Sequence, residues 1–115
     1  MKLERRDLDG ATLVTCLDDR LDAVIAVQFK DTFRDLCHDL PARCILDMSR
    51  VQFMDSSGLG AVVAVYKMLG QDSTLDLVGL TPPVDRVMRL TRMDSVFAIY
   101  PDLDAALAQP TRQAS

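Results

Sequence analysis

The run Cys44-Ile-Leu-Asp47-Met-Ser-Arg-Val-Gln-Phe-Met-Asp55-Ser-Ser-Gly-Leu-Gly60-Ala-Val-Val-Ala-Val-Tyr-Lys-Met-Leu69 passes from strand to helix and sets the architecture around it. Cys44 to Leu46 is a short apolar strand that ends at Asp47. After a connector, Asp55-Ser56-Ser57 opens a helix whose apolar face is Leu59, Val62, Val63, Tyr66 and Leu69, spaced at helical intervals. Asp and Ser suit the start of a helix because a side-chain oxygen accepts from the free N–H groups of the first turn. Gly58 and Gly60 are the anomaly. Each helical glycine costs roughly 1 kcal/mol relative to alanine, so something offsets it: either tight packing of the first turn under the sheet or the approach of a partner.

Outward from this stretch the chain alternates. Leu3 to Leu8 reads as a first edge strand, Gly10 as a turn, and Thr12 to Leu17 as a strand of β-branched and apolar residues. Asp22 caps a helix carrying Ile25, Phe29, Phe33, Leu36 and Leu40, with Pro41 as its stop. Beyond the central helix, Gly70 terminates it and Thr74 to Gly79 forms the next strand. Thr81-Pro82 has the form of a cap followed by proline at the first helical position, and Val84, Val87, Met88 and Thr91 give that helix an inward stripe. Val96 to Tyr100 is a last strand, Asp102 caps a final helix, and Gln109 to Ser115 reads as a flexible tail. The order β-β-α-β-α-β-α-β-α predicts a single α/β domain over residues 1–108, with a mixed, mostly parallel sheet of four to five strands and about four helices.

Size and composition narrow the function. At 115 residues there is room for one core. A net charge of -4 with no Lys/Arg cluster argues against direct binding of nucleic acid, and three arginines at helical spacing (Arg86, Arg89, Arg92) read as a solvated face. No run approaches the ~18 apolar residues of a membrane span, and the N-terminus has no signal-peptide core, so a cytoplasmic protein is expected. Cys16, Cys37 and Cys44 are scattered through apolar segments without a Cys-x-x-Cys pair, which predicts reduced core thiols. No cofactor or metal motif is present.

The segment Asp47-Met-Ser-Arg-Val-Gln-Phe-Met-Asp-Ser-Ser-Gly-Leu-Gly60 resembles the signature of STAS domains of the anti-sigma factor antagonist family. The similarity extends from about Leu13 to Leu107. Two positions depart from it: Asp19 and Arg92 stand where the family has, or often has, glycine. Asp19 therefore implies a turn in which aspartate tolerates the left-handed region. The first serine of the family's Asp-Ser-Ser-Gly is the one phosphorylated by a partner kinase, and it corresponds here to Ser56. The resemblance implies a phosphorylation-switched binding module, with Asp22, Asp55, Ser56, Ser57, Gly58 and Leu59 as partner contacts. Its partners would be an anti-sigma factor with serine kinase activity and a serine phosphatase. Asp22 reads equally as a simple helix cap. The alternative within the fold is a scaffold or accessory subunit of a stress-signalling or transport complex.

Two other classes fare worse. A hydrolase needs a glycine two positions before Ser56, where Met54 stands, and a base; the only histidine, His38, lies late in the first helix. A receiver domain could use Asp18, Asp19 and Asp47 as its acids, but Lys2, Lys30 and Lys67 do not supply its lysine. Asp47 reads instead as a strand-end carboxylate that meets solvent or caps a turn.

Overall fold

The computed structural model describes residues 2–39 and 41–109. Five strands form one sheet in the order β1-β2-β4-β6-β7: β1 Leu3–Leu8, β2 Ala11–Cys16, β4 Arg43–Asp47, β6 Thr74–Val78 and β7 Ala98–Tyr100. β1 joins β2 antiparallel, and every other pairing is parallel. A second, two-residue ladder pairs β3 (Arg20–Leu21) in parallel with β5 (Phe53–Met54). The helices are α1 (Ala23–Leu36), α2 (Ser56–Leu69), α3 (Pro82–Leu90) and α4 (Leu103–Leu107).

Side chains alternate across the sheet, and both faces are covered, so the central strands are apolar on each side. Val14, Cys16, Cys44, Leu46, Leu75 and Leu77 meet α1, α2 and α3 through Phe29, Phe33, Val62, Val65, Val84 and Met88. Leu13, Ile45 and Val78 face the other way, against Ala106 and Leu103 of α4. The three cysteines are free buried thiols, as their apolar settings predict.

α4 is short and owes its seat to one arginine. Arg43 is buried on the α4 face of the sheet; its Nε donates to Asp76 Oδ2 at 3.1 Å. Nη1 donates to Gln109 O at 3.0 Å and Nη2 to Ala106 O at 2.7 Å, satisfying carbonyls at the helix end. Removing the guanidinium leaves Asp76 charged, buried and alone, which costs about 3–5 kcal/mol. Arg43→Ala is expected to lose that much stability in denaturant titration, whereas Arg43→Met with Asp76→Leu is expected to recover most of it.

Several local expectations change. α1 ends at Leu36, before Pro41, because the Cys37 N–H closes on Phe33 O and the chain leaves the helix there; Leu40 lies outside the described residues. Thr91 is exposed beyond the end of α3, its hydroxyl turned back to Val87 O. Thr81 does not cap with its side chain; its hydroxyl donates 2.7 Å to Val51 O, tying α3 to the connector before α2. A 3-10 turn at Met93–Ser95 precedes β7, so the last strand begins at Ala98 rather than Val96. Arg92 takes φ +60°, the left-handed turn glycine usually makes, while Asp19 does not: among the described residues Arg92 is the one non-glycine with positive φ. Of the tail, residues 110–115 lie outside the described residues.

α2 also turns a different side inward. Val62 and Leu69 are buried as expected, but they share the deepest stripe with Gly58, Ala61 and Val65, while Leu59, Val63 and Tyr66 are half-buried at its flanks. Small residues occupy the line of closest approach, and Tyr66 reaches sideways to stack edge-on against Phe97, centroids 5.2 Å apart.

Candidate functional site

The β3–β5 ladder draws the chain after β2 against the chain before α2, and so brings two helix starts together. Gln52 N donates to Asp19 O at 2.7 Å, and Asp55 N to Leu21 O at 3.4 Å. Asp22 caps α1: Oδ1 accepts from Val24 N at 3.1 Å and Ile25 N at 3.3 Å, and Oδ2 from Arg20 Nε at 3.1 Å. Arg20, with the two amides, holds the Asp22 carboxyl below its ordinary value. The contribution of this group is therefore present above the usual carboxylate pKa and is lost as pH falls through the lowered one.

Asp55 joins the two starts. Oδ1 accepts from Gly58 N at 2.9 Å in α2, and Oδ2 from Ala23 N at 3.3 Å in α1. It is half-buried, not exposed as an acidic neighbour of Ser56 would be, because its oxygens are turned onto amides. Capping interactions contribute about 1 kcal/mol each. Asp55→Ala is expected to lower stability by about 2 kcal/mol, and hydrogen exchange should quicken in the first turns of both helices. Protection lost in α2 alone would show that the bond to Ala23 carries nothing.

Gly58 explains part of the glycine anomaly. A Cβ at this position would lie 1.9 Å from Leu21 O and 3.0 Å from Met54 Cγ. The helix start is pressed onto β3 at a distance that only glycine permits. Gly60 is different, since a Cβ there meets nothing within 4 Å.

Ser56 and Ser57 are the first two residues of α2, and both are exposed. Asp55 does the capping, so Ser57 is not needed to start the helix; among the described residues no side-chain hydrogen bond engages either hydroxyl. Their surroundings separate them. Side chains three and four positions on cover the turn before them. Gly60, exposed and bare, follows Ser56 by four, whereas buried Ala61 follows Ser57 by four. Leu59 is half-buried against the core.

Residues outside the Asp-Ser-Ser-Gly segment complete the surface. Arg20 lies over the Phe53 ring, 4.8 Å from its centre, and Phe53 stays 43% exposed. Val24 and Val27, one turn apart on α1, are 81% and 59% exposed. A two-residue strand has no periodicity to read, but exposed valines on the face opposite Phe29 and Phe33 were a readable signal.

Asp47 Oδ1 accepts from Ser49 N at 2.9 Å, the turn-capping role foreseen for it. His38 sits past the far end of α1 with Nδ1 3.1 Å from Asp35 O, about 22 Å along the helix from Ala23. Among the described residues no helix is long and apolar enough to cross a membrane.

Comparison with known proteins agrees with this geometry. The STAS domain family model matches residues 2–106. The BtrV protein of Bordetella bronchiseptica, provisionally named an anti-sigma factor antagonist, is 30% identical over 94% of this chain and 93% of its own. An anti-sigma F factor antagonist of Paenibacillus polymyxa is 32% identical over 66 residues, a match spanning 56% of each chain. The crystal structure of an anti-sigma factor antagonist from Mycobacterium paratuberculosis superposes with a TM-score of 0.83 at 31% identity, covering 93% of this chain and 91% of that one.

Proposed function

The chain belongs to the STAS domain family, and from that membership we propose that it is an anti-sigma factor antagonist switched by phosphorylation of Ser56. Unmodified, it holds an anti-sigma factor with serine kinase activity and leaves a sigma factor free. Modified, it lets the anti-sigma factor go until a serine phosphatase restores it. It works in the cytoplasm, through protein contacts and without touching nucleic acid, and is the substrate of both enzymes rather than a catalyst.

One observation carries the reading: an exposed serine at the start of a helix that is locked beneath by Asp55 and Gly58 and left bare above by Gly60. A phosphate there faces unpaired amides and the positive end of the helix dipole, so the domain stays folded when modified. It adds roughly -1.5 to -2 charges to a face that already carries Asp19, Asp22 and Asp55. Asp22, Asp55, Ser57, Gly58 and Leu59 belong to the contact region as its frame, with Asp22 and Asp55 shaping the surface by fixing both helix starts. The test is incubation with ATP and the anti-sigma factor encoded beside it or captured by it, followed by mass spectrometry. A single phosphate on Ser56 is expected; phosphate on Ser57 alone, or none, contradicts the assignment.

A further inference from the structure

Beside the carboxylate that caps α1 stands one cation. Arg20 donates a single N–H, Nε, to Asp22 and rests on the Phe53 ring. Its two Nη groups meet no acceptor among the described residues, and the side chain is 56% exposed. Asp22 and Asp55, by contrast, have turned their oxygens onto Arg20 Nε and the amides of Ala23, Val24, Ile25 and Gly58. With those two carboxylates engaged, the Arg20 guanidinium keeps its Nη donors for a visitor, on a protein whose net charge is negative.

The geometry points to Arg20, stacked on Phe53, as an anchor of the docking surface beside Ser56 that receives a carboxylate of the anti-sigma factor. This inference rests on the functional reading above and adds the chemistry of the partner: an acidic side chain for the guanidinium, flanked by an apolar one against the exposed edge of Phe53. A planar guanidinium presents paired donors that match a carboxylate. Holding it between a ring and a carboxylate beforehand reduces what association must immobilise. Arginine and aromatic residues together are the usual composition of binding hot spots.

The experiment titrates the full chain and its Arg20→Ala, Arg20→Lys, Arg20→Glu and Phe53→Ala variants against the purified anti-sigma factor that phosphorylates Ser56. Wild type comes first: if it neither binds nor is phosphorylated, the functional reading fails and this inference with it. With wild-type binding in hand, Arg20→Ala and Phe53→Ala are each expected to weaken binding about tenfold. Arg20→Glu should weaken it about a hundredfold, because like charges then meet across the interface. Arg20→Lys, which keeps the charge but not the paired donors, falls between wild type and Arg20→Ala. Circular dichroism should be unchanged, since the Asp22 cap keeps its amides. Combining Arg20→Ala with Asp→Ala and Glu→Ala variants of the partner should reveal one carboxylate whose loss costs nothing further once Arg20 is gone. Undiminished binding by Arg20→Glu overturns the inference, as does a loss to which no partner carboxylate is coupled.

Discussion

Ser56→Asp is expected to bind the anti-sigma factor at least about a hundredfold more weakly than the unmodified chain, while Ser56→Ala binds as wild type and accepts no phosphate. The size of the effect follows from where the charge lands. Ser56 is exposed on the first turn of α2, one residue beyond Asp55. Like charges opposed across an interface cost several kcal/mol, and each ~1.4 kcal/mol is tenfold in affinity. No rearrangement of the fold is required, because the helix start tolerates an anion. Both variants should keep the wild-type Tm within a few degrees. Isothermal titration of the three proteins reads the result, and equal affinity for Ser56→Asp would remove the electrostatic basis of the switch.

The two glycines should respond in opposite directions. Gly58→Ala places a Cβ where Leu21 O already stands, at 1.9 Å, and a backbone carbonyl within the β3–β5 ladder cannot swing aside. Relief requires α2 to retreat, which breaks the reach of Asp55 to Ala23 and the bond from Asp55 N to Leu21 O. Overpacking costs about 1–3 kcal/mol, occasionally more, and backbone contact puts this case at the upper end. The ~1 kcal/mol gained in helix propensity does not offset it. A net loss of about 2 kcal/mol lowers Tm by roughly 10 °C in a domain of this size, and partner binding should fall with it. Gly60→Ala has open space and gains the propensity, so its Tm should rise by several degrees. Gly60→Val keeps the fold but covers Ser56, and should slow its phosphorylation without lowering Tm. Scanning calorimetry and a phosphorylation time course measure all three. A Gly58→Ala protein as stable as wild type would mean that α2 is not pinned to β3.

The parts of this molecule that were legible in sequence are those with a period or a cap. Asp22, Asp55 and Asp102 announce their helices because carboxylates satisfy first-turn amides, and all three do so. The apolar runs around Val14, Leu46 and Leu77 announce buried parallel strands. What escaped is short or depends on contact. Arg20–Leu21 and Phe53–Met54 are too brief to show alternation, yet their pairing is what assembles the site. The inward turn of α2 escaped because periodicity weighs large side chains, and here Gly58 and Ala61 share the buried stripe. Asp55 was legible as a cap but not as a link to α1, since Ala23 is 32 residues away in sequence. The two glycines looked alike in sequence and differ in structure: one is a packing requirement, the other an opening.

The central claim, that a phosphate on Ser56 controls binding, is tested most directly with wild-type protein in two forms. The chain phosphorylated at Ser56, verified by mass spectrometry, is titrated beside the unmodified chain against the same anti-sigma factor at fixed salt. A dissociation constant at least about a hundredfold higher is expected for the phosphorylated form, with unchanged far-UV circular dichroism. Equal dissociation constants for the two forms would contradict it.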